Sequence, residues 1–167
     1  MRPSTVFWSV VVVGGVLVAG TLDLLPETVA THFDGAGRPN GWSSRAGYAV
    51  FLAAIGAGLP LVVVAVVATL ARRAPQWINL PHREIWLAEP RRSEALARAR
   101  EQMWWLACVL ALSALVVHLA VIGANMRQPA HLPLPAALGT IGFPLAGIVA
   151  WAVSWQRRFR PPTRSNP

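Results

Sequence analysis

Charged residues and cysteine are both scarce in this chain. Only seven of its 167 residues are acidic and only 13% are charged, whereas 54% are hydrophobic and the mean hydropathy is +0.46. This balance excludes an ordinary soluble domain and indicates a protein of the lipid bilayer. The single cysteine, Cys108, lies within an apolar run, so an intrachain disulfide and a cysteine-based metal site are both excluded.

Motifs of the common enzyme families are absent as well. The sequence contains no nucleophile elbow, no phosphate-binding loop, no dinucleotide fingerprint and no His-Glu-x-x-His pattern. No residue set therefore argues for an enzyme, and no cofactor is expected apart from the divalent metal considered below.

Four apolar segments are long enough to cross a membrane as helices, which takes about 20 residues each. We predict an all-α integral membrane protein with four transmembrane helices, a short hairpin-like outer loop and a basic inner loop. The four helices form a single membrane domain over residues 1–156, and a disordered cytoplasmic tail follows over residues 157–167. The predicted spans are residues 6–25, 47–70, 103–125 and 134–155.

The basic residues are all arginines, and they are unevenly distributed. Twelve of the fifteen flank one side of the predicted spans, mostly in residues 72–100 and in the tail, against Arg38, Arg45 and Arg127 on the other side. The positive-inside rule then places both termini and the middle loop in the cytoplasm. An anionic lipid leaflet explains these arginines, so nucleic-acid binding is not expected.

Residues 25–42 form a compact polar segment between the first two spans. Asp34-Gly35 and Asn40-Gly41 are strong turn signals, and the residues before them are rich in β-branched side chains. The segment is therefore predicted to fold as a small hairpin closed by Trp42.

This segment also resembles a known family. Leu25-Pro26, His32-Phe33-Asp34, the run from Gly37 to Trp42 and the basic residue at 45 are similar to the hallmark of the bacterial family called domain of unknown function 1648. That family also forms the N-terminal membrane part of SdpI-type immunity proteins. The stretch from Asn79 to Arg92 is similar to the family's inner loop. The resemblance implies a protein of the bacterial inner membrane whose activity is undetermined, with a binding or regulatory role as an immunity-like or sensor module.

In that interpretation the outer loop binds an extracellular or membrane-bound partner, and the inner loop carries a cytoplasmic contact. Tryptophans beside arginines make good interface anchors, although tryptophans near a bilayer also hold a loop against the membrane surface. The inner loop is expected to lie on that surface. The expected partners are the lipid bilayer and a protein at either loop, and the candidate contact residues are His32, Phe33, Asp34, Gly37, Gly41 and Trp42 outside, and Asn79, His82 and Trp86 inside.

An alternative of a different class is a small membrane enzyme or transporter with a metal or proton site. His32 and Asp34 are two residues apart in an extended segment, so they point to the same face. Together with Glu27 and His131, which are predicted on the same side, they would provide ligands for zinc or a related divalent metal. The simpler interpretation is that His32 and Asp34 bond to backbone amides of the turn.

Two ionisable residues, Asp23 and His118, fall within the predicted spans. Ionisable groups at this depth are costly and usually face a partner or a cavity, so one hypothesis is that the two pair as a proton or ligand site. The simpler interpretation, which we favour, is that Asp23 reaches the interface and a neutral His118 bonds to a backbone carbonyl or to Ser113.

Overall fold

The computed structural model describes residues 1–161 of the chain. Four helical rods dominate it, and each is long and apolar enough to cross a membrane. The predicted fold class is therefore confirmed, and the chain is a multi-pass membrane protein. In chain order the elements are α1 (Pro3–Thr21), β1 (Thr28–Phe33), β2 (Pro39–Ser44), α2 (Arg45–Ala53), α3 (Leu59–Arg73), α4 (Arg83–Trp86), α5 (Arg92–Asn125) and α6 (Leu134–Arg158).

The predicted tail is only partly a separate segment. Its first two residues, Arg157 and Arg158, continue α6, because the apolar helix runs on through two residues with good helix propensity. Residues 162–167 of that tail lie outside the described residues.

The second rod is continuous but irregular. Between α2 and α3 the backbone forms a five-residue π-helical turn, Ala54–Gly58, immediately before Pro60. Proline has no N–H, so Pro60 cannot bond to the carbonyl of Gly56 four residues earlier. The widened turn accommodates the missing hydrogen bond without ending the rod.

The long helix α5 is the centre of the bundle, since α1, α3 and α6 each pack against it. Six of its buried positions are alanine, which lets neighbouring backbones approach closely. These alanines are Ala95, Ala99, Ala107, Ala111, Ala114 and Ala124. One apolar core lies at the end of the bundle that carries the β-hairpin, which we call the hairpin end, and a second lies towards the opposite, arginine-rich end.

The segment between α3 and α5 folds onto the helix ends instead of lying flat. Ile78, Leu80 and Trp86 are buried in the core of the arginine-rich end. The Trp86 indole N–H donates to the Phe159 carbonyl at 2.9 Å, and the Arg98 guanidinium lies 5.2 Å from the centre of the Trp86 ring. The apolar side chains that the sequence assigned to the membrane surface are therefore largely used in packing within the chain.

Candidate functional site

The hairpin predicted from the turn signals is present, and its register is irregular. Ala30 pairs with Trp42 and His32 with Gly41, while Thr31 is skipped in the pairing. Bulges of this kind twist a strand and redirect its side chains. Gly41 lets His32 pack directly on the opposite strand, because a Cβ added at residue 41 would lie 3.0 Å from the Cβ of His32.

Asp34 organises the turn that joins the two strands. Its Oδ1 accepts hydrogen bonds from the backbone amides of Ala36 and Arg38, both at 2.9 Å, and its Oδ2 accepts from Nε of Arg38 at 2.9 Å. The backbone hydrogen bond from Arg38 is the main reason that the pKa of this carboxyl lies below its ordinary value. Asp34 thus has the structural role of the simpler interpretation, whereas Nδ1 of His32 lies 3.2 Å from the Thr31 hydroxyl.

The tip of the hairpin docks on the link between α5 and α6. The backbone N–H of Leu132 donates to the Gly37 carbonyl at 2.9 Å. Gly37 has a φ of 77°, a left-handed conformation that favours glycine. A side chain there would also collide with the Leu132 carbonyl and would approach Cε1 of His131 to 2.7 Å. Only glycine therefore fits this contact.

A second contact joins β1 to the end of α5 through Asn125. The Asn125 side chain accepts a hydrogen bond from the Ala30 N–H and donates one to the Ala30 carbonyl, both at 2.9 Å. The same amide nitrogen donates to the Val121 carbonyl at 2.9 Å. The side chain thus satisfies the free backbone groups on the edge of β1, as a neighbouring strand would.

A third contact, made by Arg45 at the start of α2, closes the base of the hairpin against the segment that follows α1. Its Nη1 donates to Asp23 at 3.1 Å, and its backbone N–H donates to the Glu27 carbonyl at 2.9 Å. Asp23 is therefore paired with Arg45, and the hypothesised pair between Asp23 and His118 is not formed. The reason is their position, since the Asp23 side chain is 95% exposed and His118 is fully buried.

His118 joins three helices inside the bundle. The Thr21 hydroxyl donates to the Leu17 carbonyl at 2.7 Å, so it accepts from Nε2–H of His118 at 2.9 Å. Nδ1 of His118 is then free to accept from the Tyr48 hydroxyl at 3.0 Å. This arrangement satisfies a neutral imidazole completely. The expected partner Ser113 instead donates to the Val109 carbonyl.

A groove of about 720 Å³ lies beneath the hairpin, between α5 and α6. Its volume is within the range of small-molecule sites, roughly 300 to 1,000 Å³. Its rim is polar and comes from the hairpin and the α5–α6 link, while its floor is apolar and comes from the two helices. The rim includes Thr31, His32, Asp34 and His131, and the floor includes Val117, Ala120, Val121, Leu134, Ala137, Leu138 and Ile141.

Three of the four predicted metal ligands, His32, Asp34 and His131, line this groove, whereas Glu27 does not. Both oxygens of Asp34 are already bonded within the turn. Within residues 1–161, no group of three or more histidine, cysteine, aspartate or glutamate side chains is arranged to hold a metal ion. The predicted four-ligand set is therefore not assembled, because the turn uses Asp34 and Glu27, which precedes β1, does not line the groove.

The remaining candidate residues divide between exposed and buried positions. Phe33 lines the groove, and Trp42 is 58% exposed on the hairpin. At the arginine-rich end Asn79 and His82 are exposed, but Trp86 is buried. Trp86 therefore cannot serve as the predicted anchor for a partner, since its ring and its N–H are both used within the chain.

Comparison with known proteins finds a family similarity at the hairpin end. Residues 10–57 match the family described as domain of unknown function (DUF1648). An uncharacterized protein of the archaeon Archaeoglobus fulgidus is 34% identical over 119 residues, which cover 68% of this chain. The chain spans 64% of the length of that relative. No solved structure matches the chain.

The segment that matches DUF1648 contains most of α1, the hairpin and α2, but residues that hold the hairpin in place lie outside it. Sequence reasoning missed Asn125, Tyr48 and Thr21 as partners. The available signal was weak: each is a lone polar residue at or near the end of an apolar run. Such residues often reach the membrane interface, so their position alone does not indicate a partner.

Proposed function

We propose that this chain is a binding module of a bacterial cytoplasmic membrane that recognises an extracellular or membrane-bound partner at the hairpin end. The main support is that Asn125 and Leu132 fix the hairpin and Arg45 closes its base, while His32 and Trp42 remain exposed. A surface that is already ordered loses less conformational entropy when it binds. A loop that served only as a connection would not need contacts with α5 and the α5–α6 link.

The groove beneath the hairpin supports the same proposal. It places two imidazoles above an apolar floor, which is a common arrangement in ligand sites: a mostly apolar lining with a few polar groups that fix orientation. The arginine-rich end then faces the cytoplasm, where its exposed residues Asn79 and His82 are available for a cytoplasmic contact.

The proposed orientation is tested by cysteine labelling in intact cells. Cys108 is buried, so the native chain provides a low background for a thiol reagent. Asn40→Cys on the hairpin should react with a membrane-impermeant maleimide in intact cells. The matched variant Trp77→Cys, at an exposed site of the arginine-rich end, should react only after permeabilisation. The reverse labelling pattern would overturn the proposed orientation.

Partner recognition is tested with two matched tryptophan variants. Trp42 is 58% exposed at the hairpin end and Trp77 is 76% exposed at the opposite end. Crosslinking in intact cells, followed by purification and mass spectrometry, should capture a stoichiometric partner on the native chain. Trp42→Ala combined with His32→Ala should lose that partner, and Trp77→Ala should keep it. Identical captured material from all three chains would refute recognition through the hairpin.

A further inference from the structure

The groove exists because α6 diverges from α5 towards the hairpin end. Near the arginine-rich end the two helices are in close contact: a Cβ added at Gly147 would lie 2.6 Å from Val109, and the Trp151 indole donates to the Gln102 carbonyl at 2.9 Å. Nearer the hairpin the space between the two helices is the groove itself, which is lined by Val117, Ala120 and Val121 of α5 and by Leu134, Ala137 and Leu138 of α6. The gap therefore widens towards the hairpin.

The floor of this gap belongs to the hydrocarbon region of a membrane. Leu134, Leu138 and Ile141 line it and are 67%, 60% and 67% exposed in the isolated chain. From Leu134 to Ile141 the helix descends by about 10 Å, roughly a third of the hydrocarbon thickness. The hydroxyl of Thr140 donates to the Ala137 carbonyl, so it leaves no free donor in this floor. The floor suits a hydrocarbon chain.

The rim directly above this floor offers hydrogen-bond donors. The imidazoles of His32 and His131 both line it, whereas the Thr31 hydroxyl already donates to the Gly41 carbonyl at 3.4 Å. The carboxylate of Asp34 is matched by Arg38 and by two backbone amides, so it adds little repulsion towards an anionic group. Phosphate oxygens are suitable acceptors for such donors.

From this juxtaposition we propose that the groove binds one phospholipid of the adjacent leaflet, with its acyl chain along α6 and its phosphate at His32 and His131. The inference rests on the proposed function, since it names the class of ligand that the hairpin-end site takes. A peptide is less suitable, because its backbone polar groups would meet no donors or acceptors along the apolar floor.

The rim must determine which lipid is held. An acyl chain gains no hydrophobic advantage when it moves from the bilayer into the groove, because lipid tails are as apolar as the floor. Preference over surrounding lipid therefore depends on the shape of the gap and on the headgroup contacts. Blocking the gap and removing the imidazoles should each abolish that preference.

The test uses the full chain in nanodiscs of phosphatidylethanolamine and phosphatidylglycerol, with a trace of phosphatidylglycerol that carries a photoreactive acyl chain. After irradiation, mass spectrometry locates the labelled peptides. On the native chain, labelling should concentrate on residues 117–121 and 134–141. Ala137→Phe, which fills the gap, should reduce it roughly tenfold, equivalent to about 1.4 kcal/mol. Ala146→Phe, on the exposed face of the same helix, should leave labelling unchanged.

A second variant, His32→Ala with His131→Ala, changes only exposed side chains of the rim. It keeps the proposal testable if the Ala137→Phe protein does not fold. It should also lower the labelling of the groove peptides. Equal labelling of all lipid-facing helices, or labelling unaffected by both variants, would overturn the proposal. Loss of labelling on addition of inorganic phosphate would also overturn it, by showing a site for free phosphate. The two proposals can fail separately. If the lipid label does not concentrate in the groove, but Trp42→Ala with His32→Ala still loses the partner crosslinked in intact cells, then the lipid proposal is wrong and the proposed binding function is retained.

Discussion

Replacing Gly37 by alanine should release the hairpin from the α5–α6 link. Alanine pays about 1–2 kcal/mol to adopt the left-handed conformation that Gly37 has at a φ of 77°. Its methyl group would also collide with the Leu132 carbonyl, which forces the two backbones apart. That movement removes the hydrogen bond from Leu132 N–H to the Gly37 carbonyl, worth about 1 kcal/mol. The docked state should therefore lose about 2–3 kcal/mol relative to the undocked state.

Hydrogen exchange read by mass spectrometry measures this loss directly. Amides of the link, including that of Leu132, should exchange roughly 30 to 150 times faster in the Gly37→Ala variant. This range applies when docking in the native chain is more stable than the 2–3 kcal/mol that the substitution removes, about the energy of a 30- to 150-fold change. Gly35→Ala is the matched control, because Gly35 lies in the same turn, has no positive φ and has no atom within 4 Å of an added Cβ. Equal exchange in the two variants would refute the docking geometry.

Three further predictions concern the other contacts of the hairpin end. Asn125→Leu leaves the N–H and the carbonyl of Ala30 without partners, so we expect a loss of about 2–4 kcal/mol in local stability and faster exchange of β1 amides. His118→Phe removes two intramembrane hydrogen bonds, and thermal unfolding in detergent should show a loss of about 1–2 kcal/mol; an unchanged melting temperature would contradict the network. Because the pKa of Asp34 is lowered in the folded state, its stabilisation of the turn is complete above the ordinary aspartate value and is lost as the pH falls through the lowered one. In that acid range the hairpin amides should therefore exchange faster, relative to the rates of an unstructured chain at the same pH, than they do at neutral pH. Asp34→Asn should remove this pH dependence of protection.

The sequence was sufficient to predict the rods and the hairpin, because both follow from local chemistry. Long apolar runs indicate spans whatever their partners are, and Asp34-Gly35 indicates a turn without reference to the rest of the chain. Asp34 could even be assigned its structural role in advance, since its bonds reach only two and four residues along the chain.

The contacts that position the site could not be predicted in this way. Asn125 is 95 residues from Ala30, and His118 is 97 residues from Thr21 and 70 from Tyr48. Which rods become neighbours depends on packing around α5, and a hydrophobic pattern alone contains no information on that choice. The hypothesis of a pair between Asp23 and His118 used depth alone and overlooked Arg45, which lies closer to Asp23.

The buried Trp86 shows the same difficulty at the other end of the chain. Tryptophan suits a membrane surface, a protein interface and a packed core equally well by composition. Here the deciding group is the Phe159 carbonyl at the end of α6, which has no partner within its helix and accepts from the Trp86 indole. A helix end 73 residues away therefore determines that this aromatic side chain is buried.

The hairpin end combines the segment that matches DUF1648 with the helices that follow it. Residues 10–57 contain His32 and Asp34 of the groove rim, but its floor and the imidazole of His131 come from α5, α6 and their link. Ala30 and Gly37 also present backbone groups whose partners, Asn125 and Leu132, lie outside the matched segment. Without those partners the hairpin would expose its edge, and the groove would have no floor. The specificity of the proposed site therefore depends on the second half of the chain as much as on the segment that matches DUF1648.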